Sequence, residues 1–413
     1  MLRVFTQLVR STSKGAVGAS CSCASSAGTS SSPISILSVV LLFAGESSAM
    51  GKDVQQMTGG PPPMPESKSA LAVDGSIGEG GGQVLRTSLT LSLITRSPFT
   101  LTNIRRRRKR PGLMAQHLKA VEAASKVGMA KVEGARLGSQ SLTFEPAGIF
   151  PGNFDFDVGT AGSTSLVLQT ILPALSFATS TSRVTVTGGT HVPWSPCFHF
   201  LALHWLPYMR RIGFNFQLEL ESAGFYPRGG GQVRAIVQPA STPSPLRLIN
   251  RGPLRRIRGV SAVANLNASV AERQRDQALR RLSAVSKAIE IEILRLSSPS
   301  KGTFLLLLAE FENSQCCFQG LGARGKLAER VSDEAVDEFL DFLNTDGAVD
   351  QFLGDQLVLP LALAPGVSEV RTSKLTSHIT TNAEIVKMFL PVDIEIEGTI
   401  SHAGSLRIRR YIQ

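Results

Sequence analysis

The sequence predicts an α/β fold: βαβαββ units repeated into a main domain, with a smaller α/β domain inserted into it. Three observations carry that expectation. From Ala70 onward, short β-favouring runs alternate with apolar helical stretches. The glycine turn and helix over 78–94 (GEGGGQVLRTSLTLSLI) return 81 residues later at 159–175 (GTAGSTSLVLQTILPAL), marking a duplicated unit of about 80 residues. Residues 240–250 (ASTPSPLRLIN) then interrupt the alternation with Pro and small polar residues, and the stretch beyond them has its own composition.

Taken in order, residues 1–69 precede the folded part. Arg3, Arg10 and Lys14, many Ser and no Asp or Glu give 1–45 the composition of a transit peptide. The apolar run 35–43 (ILSVVLLFA) falls short of the ~20 residues that span a bilayer, leaving an unusual signal peptide or a leader without an address as alternatives. Residues 51–70 are polar and Pro-rich, hence a linker. The first unit reads as a strand (ALAVDG), a helix (83–95), a strand (98–104), a helix (115–127) and two strands around Leu137-Gly138. The second reads as a strand (153–158), a tight turn (159–162), a helix (163–177), a strand (183–188), a helix (198–212) and strand-like runs to Gln238. The insertion holds a strand (256–264), a charged helix (268–293), a very apolar strand (303–311) and a helix (326–343). These readings place the first part of the main domain at 70–246, the insertion at 247–346 and the rest of the main domain at 347–413.

The chain has 413 residues, 42% of them hydrophobic and 18% charged, which excludes global disorder and leaves room for two or three domains. Five cysteines, two near-adjacent pairs and Cys197 alone, fit neither a disulfide scaffold nor a zinc finger. The net charge of +11 points to an anionic partner. Arg105, Arg106, Arg107, Arg108, Lys109 and Arg110 supply six positive charges at the end of a strand, where ordered guanidinium forks suit phosphate. A second cluster, Arg247, Arg251, Arg255, Arg256 and Arg258, lies in a stretch without an acid. Either run reads equally well as a solvated face.

Several segments carry chemistry. In DGSIGEGGGQVLR (74–86), four glycines crowd one acid at a strand-to-helix junction. Backbone amides there can approach a phosphate, Glu79 could hold a divalent metal, and Arg86 could reach the same anion. The plainer reading is a tight turn with a solvated Glu. GLGARGKL (320–327) nearly spells a P-loop, but Leu327 stands where the metal-binding hydroxyl belongs. His117, His199 and His204 sit on amphipathic helices, which favours surface or capping roles. Ser377-His378-Ile-Thr-Thr-Asn382 reads as a polar turn. A loop histidine is more often structural than catalytic, yet its imidazole is a neutral nucleophile near pH 7. Asp355, early in a helix, reads by default as its cap.

Together, DGSIGEGGGQVLR, IRRRRKRPGL, GTAGSTSLVLQTILPAL, GGTHVPWSP, GFYPRGGGQV, GDQLVLPLALA and SHITTN make the chain resemble the RNA 3′-terminal phosphate cyclases from about Leu71 to Leu390. The resemblance implies a main domain of three βαβαββ units with an inserted smaller domain. It implies that His378 attacks the α-phosphate of ATP, and that the covalent AMP passes to an RNA 3′-phosphate. The 2′-hydroxyl then displaces AMP to leave a 2′,3′-cyclic phosphate. It further implies Glu79 as the acid for Mg²⁺ or Mn²⁺. Gln169, Pro196, Phe318, Phe352, Asp355 and Gln356 would bind or pack around ATP, and Arg86, Arg105 and Arg108 would engage phosphates.

The expected partners are ATP and an RNA bearing a 3′-terminal phosphate, with no membrane. The family suggests the nucleus or cytosol, while the acid-free leader suggests an organelle. Two departures stand out. Arg106 and Arg107 occupy positions where the family commonly has small residues, and Ser297-Ser-Pro-Ser-Lys-Gly302 replaces a longer polar segment in the insertion. A non-catalytic branch acting in ribosome assembly lacks the histidine, so His378 argues for the catalytic branch. Enolpyruvyl transferases share the repeat architecture but not these motifs. A lysine-dependent nucleotidyl ligase needs Lys-x-Asp-Gly, and Ala72-Val73 precede Asp74-Gly75 here.

Overall fold

The computed structural model describes residues 69–240 and 242–411, so the leader expectations and Cys21 and Cys23 lie outside the described residues. Three four-stranded sheets share one strand order. The first contains β1 (Leu71–Asp74), β2 (Phe99–Thr102), β3 (Lys131–Glu133) and β4 (Leu142–Glu145), with α1 (Gly82–Thr95) after β1 and α2 (Ala115–Gly128) after β2. β1 runs parallel to β2, β2 antiparallel to β4, and β4 antiparallel to β3. The second repeats the pattern with β5 (Asn153–Asp157), α3 (Thr164–Leu175), β6 (Ser182–Gly188), a helix α4 over 198–212, β7 (Asn215–Ser222) and β8 (Gly231–Gln238). The middle of α4, Leu201–Trp205, is π-helical.

The third sheet starts with the short β9 (Arg247–Leu248), and its parallel neighbour comes more than a hundred residues later. Between them lie β10 (Leu254–Ala264), α5 (Ala268–Leu282), β11 (Ile289–Arg295), β12 (Gly302–Phe311), β13 (Gln315–Leu321) and α6 (Ala328–Leu343). The unit then resumes as α7 (Gln351–Ala362), β14 (Gly366–Thr372), α8 (Ser377–Phe389), β15 (Val392–Glu397) and β16 (Gly404–Arg410). The β10–β13 sheet has order β11-β10-β12-β13. Its central strand β12 is apolar without alternation because both faces are buried. Phe304, Leu306 and Leu308 join the main core, whereas Leu305, Leu307 and Ala309 pack with Val331, Phe339 and Phe342 in a second one.

The structure corrects several local expectations. The helix expected over 268–293 stops at Leu282, and Ile289–Arg295 (IEIEILR) is a strand parallel to β10. Its apolar residues alternate with period two, which suits a sheet and not a helix face. The second arginine cluster meets acids from other segments: Arg247 pairs with Glu369, Arg255 with Glu312, and Arg256 and Arg258 with Glu310. Arg251 donates to the carbonyls of Phe342, Leu343, Thr345 and Gly347 at the C-terminal end of α6. In the P-loop-like segment, Lys326 Nζ donates to the Leu321 carbonyl and pairs with Glu334. Cys197, Cys316 and Cys317 are buried free thiols, and burial pushes Cys197 up to about 12. No helix among the described residues is long and apolar enough to cross a membrane.

Candidate active site

The first helices of the three units, α1, α3 and α7, converge on a solvent-open cleft of about 510 Å³. Gln83, Arg86, Thr87 and Thr90 of α1 line it, with Gln169 and Pro173 of α3, Asp355, Gln356 and Pro360 of α7, Trp205 from the π-helical turn, and Asn382 of α8. Thr90 Oγ1 donates to the Thr170 carbonyl at 2.7 Å, binding α1 to α3. Gln169 Nε2 donates to Gln356 Oε1 at 2.6 Å across the α3–α7 seam, 187 residues apart in sequence. Pro173 and Pro360 are separated by the same interval. Each proline removes one helical N–H bond, so both helices are loosened at corresponding points of the cleft wall.

Asn382 locks the third side. Its Oδ1 accepts from Thr87 Oγ1 at 2.7 Å and Gln83 Nε2 at 3.0 Å, and its Nδ2 donates to the Asp355 carbonyl at 3.1 Å. His378 stands one helical turn before it on the same face of α8. The segment expected as a polar turn is therefore the opening of a helix, capped by Thr376 Oγ1, which accepts from the Ile379 N–H at 3.2 Å. Ser/Thr next to a polar run is a recognised helix start, and that signal outweighs the β-branched threonines. Thr376 also donates to Asp355 Oδ1. Asp355 is not the cap of α7; Asp350 is, accepting from the Leu353 N–H at 2.9 Å while His204 Nε2 lies 2.7 Å from its other oxygen.

The glycine loop between β1 and α1 lies against the start of α8. The Glu79 N–H donates to Thr381 Oγ1 at 3.3 Å. A Cβ at Gly78 (φ +57°) would come within 2.0 Å of Thr381 Oγ1, so this approach demands glycine. Glu79 then faces the Arg108 guanidinium and the His378 imidazole. Arg108 Nη2 pairs with its Oε2 at 2.6 Å, and His378 Nδ1 lies 3.2 Å from its Oε1, at ion-pair distance but out of line for a hydrogen bond. Glu79 raises the imidazole above its ordinary 6.5, helped by Asp355 and opposed by burial and Arg86. Burial pushes the Asp355 carboxyl up to about 7, against the pull of Thr376 and His378. Burial also opposes ionisation of Glu79, but the attraction of His378 and Arg108 overcomes it, so that carboxyl lies below 4.5.

Beside the loop, α1 begins at Gly81 without a side-chain cap, so its first N–H groups are free for an anion. Arg86 reaches back to Gln83 Oε1 at 2.9 Å; burial lowers it to about 10, so it stays charged at neutral pH. His117 is buried, not on the surface, and fills a capping role: its Nδ1 accepts from the Met114 N–H at 3.1 Å. Burial, with Arg86 and Arg105 nearby, pushes it down to about 3, which keeps the ring neutral. His199 and His204 are buried as well, on the face of α4 turned to the core, the former 2.8 Å from His191.

Of the residues singled out in the sequence, Glu79, Arg86, Arg108, Gln169, Asp355, Gln356 and His378 meet in and beside the cleft. Phe352 is exposed on the first turn of α7. Pro196 is half-buried in the loop before α4, outside the residues lining the cleft. Phe318 does not join them: it is buried against Phe339 and Phe342, 5.5 Å from each ring, in the core under β12 and β13. Arg105 turns its guanidinium to the carbonyls of Arg110 (2.7 Å) and Gly112 (3.1 Å), holding its own loop. Among the described residues, no group of three or more His, Cys, Asp or Glu side chains could hold a metal. Glu79 stands there as a single carboxylate already facing Arg108 and His378, so the residues present do not fit a resident metal ion.

Gln83, Thr87 and Asn382 were not singled out. Asn382 was legible, standing four residues after His378, as was the Q-x-x-L-P motif shared by 169–173 and 356–360, which aligns α3 with α7.

A family model described as RNA 3′-terminal phosphate cyclase matches residues 77–396. The RNA 3′-terminal phosphate cyclase of Ralstonia nicotianae is 44% identical over 331 residues, covering 79% of this chain and 94% of that protein. Those of Saccharolobus solfataricus (44%, covering 79% and 96%) and Pyrococcus furiosus (40%, covering 82% and 99%) are similar to the same extent. The crystal structure of the enolpyruvyl transferase NikO from Streptomyces tendae covers 83% of this chain and 82% of its own at 11% identity, with a TM-score of 0.24, too low to bear on fold or function. Matched by the family model over residues 77–396, and by relatives over nearly their whole length, this chain belongs to the RNA 3′-terminal phosphate cyclase family.

Proposed function

We propose that the chain converts an RNA 3′-terminal phosphate to a 2′,3′-cyclic phosphodiester, using ATP and a covalent AMP on His378. The observation that carries this reading is the Glu79 carboxylate facing His378 Nδ1 at 3.2 Å. A carboxylate there favours the tautomer protonated on Nδ1, which leaves the Nε2 lone pair to act as nucleophile.

In the first step Nε2 attacks the α-phosphorus, the bond to the β-phosphate oxygen breaks, and pyrophosphate leaves. In the second, an oxygen of the RNA 3′-phosphate attacks the same phosphorus and releases His378, forming an RNA-adenylate. In the third, the 2′-hydroxyl attacks the RNA phosphorus, loses its proton and expels AMP. Adenylylation supplies a good leaving group where a phosphate monoester has none. The protein's task is charge neutralisation and alignment. Arg86, Arg108 and the free N–H groups at the start of α1 would hold phosphate oxygens, and the Gln169–Gln356 pair, Phe352 and Pro196 would take the adenosine. The Mg²⁺ or Mn²⁺ implied by the family resemblance would arrive on the nucleotide's own phosphates, since Glu79 alone cannot hold it.

An oligoribonucleotide with a 3′-phosphate tests the reading. With ATP, its end should become resistant to phosphatase, with one AMP and one pyrophosphate released per end. An end that remains phosphatase-sensitive overturns it. For location we propose the nucleus, with the leader as a competing address; imaging fusions with and without residues 1–69 separates the two.

A further inference from the structure

Arg107 is the residue of the basic run whose side chain reaches the glycine loop without touching Glu79. Its Nη1 donates to the Gly78 carbonyl at 3.1 Å. Its aliphatic stem runs beside Gly80: a Cβ built at Gly80 would stand 3.5 Å from the Arg107 Cβ and 3.6 Å from its Cγ and Cδ. Gly78 and Gly80, the neighbours of Glu79, both have positive φ (+57° and +60°), a conformation that glycine adopts freely and also leaves freely. Elsewhere the loop is held by its own turn bond, from the Gly80 N–H to the Ile77 carbonyl at 2.9 Å, by the Glu79 N–H donating to Thr381 Oγ1 at 3.3 Å, and by the Glu79–Arg108 pair, which fixes the side chain and not the backbone carbonyl that Arg107 grips. Arg106, by contrast, donates to Asn103 Oδ1 at 3.5 Å.

We propose that Arg107 is a positioning residue that clasps the glycine loop and keeps the Glu79 carboxylate on His378 Nδ1. The loop lies between the first turn of α8 and the Arg107 side chain, so removing the clasp frees the two glycines on either side of Glu79. The proposal deepens the adenylylation reading above and rests on it. It also gives a role to one of the two arginines that depart from the family's small residues.

The experiment follows protein–AMP formation from labelled ATP without RNA, over a range of pH, in wild type, Arg107→Ala, Arg107→Lys and Glu79→Gln, alongside hydrogen exchange of the 78–81 amides. Arg107→Ala should slow adenylylation roughly ten-fold or more, because small misplacements cost large factors. It should also move the acid limb of the rate to lower pH, in the same direction as Glu79→Gln, and speed exchange in 78–81. Arg107→Lys, which keeps a donor for the Gly78 carbonyl, should recover part of each. Unchanged adenylylation and exchange, with weaker RNA binding and a shallower salt dependence, would make Arg107 a phosphate contact and overturn the proposal. If wild type forms no adduct, the adenylylation reading fails instead, and the exchange rates still report whether Arg107 holds the loop.

Discussion

The Glu79 carboxylate acts on His378 in two opposed ways, because it orients the ring while raising its affinity for a proton. Attack requires the neutral ring, so adenylylation should rise with pH through a limb above the ordinary histidine range. Glu79→Gln removes the charge that favours imidazolium, and its limb should move to lower pH; a limb that stays in place would show that Glu79 does not face the ring in solution. Asp355 gives a stability prediction whose sign is fixed by its carboxyl, which ionises near 7 in the fold against 3.8 when free. Between those values the folded state binds more protons than the unfolded one, so stability falls as pH rises through the window. Asp355→Asn should flatten this dependence, with the variant gaining thermal midpoint over wild type between pH 5 and pH 8; parallel midpoints would contradict it. Neither pairing was visible in the sequence, where Glu79 lies nearly 300 positions before His378 and Asp355 sits on a separate helix; the glycine loop against α8 and α7 against α8 bring the three together.

Helix starts set much of the site. Thr376 opens α8 and Asp350 opens α7, and Asp350 also accepts from the Cys317 N–H at 3.2 Å and contacts the buried His204. Asp350→Ala should cost roughly 2–4 kcal/mol, combining a lost cap with polar groups left buried. A urea midpoint that falls with an unchanged slope would show it, and a loss under about 1 kcal/mol would mean water replaces the carboxylate. Gly78→Ala should lower the thermal midpoint and the adduct yield together, since its Cβ meets Thr381 Oγ1 at 2.0 Å; an intact yield would mean that the loop stands off α8. Element types were largely legible from periodicity and glycine turns. The failures have local causes. In 268–293 a helix and a strand abut without Pro or Gly between them, and at 377–382 a cap residue one position upstream decided the outcome.

At the scale of the whole molecule, a shared strand order in three sheets brings three corresponding helices to one cleft. Two of those sheets were readable as an 81-residue echo. The third was obscured because the β10–β13 sheet and its helices separate β9 from α7. Charge is the other whole-molecule property. The structure pairs the second arginine cluster with acids and carbonyls, while Arg106, Lys109 and Arg110 of the first run are exposed. Replacing these three together by Ala should lower the salt dependence of RNA binding, by up to about 0.7 in log–log slope per lost phosphate contact. An unchanged slope would place the RNA elsewhere. The central claim, that His378 carries AMP, is tested most directly by incubating the protein with α-labelled ATP in the absence of RNA. The account predicts acid-labile label on wild type and none on a folded His378→Ala variant, and label retained by that variant, or absent from both, would contradict it.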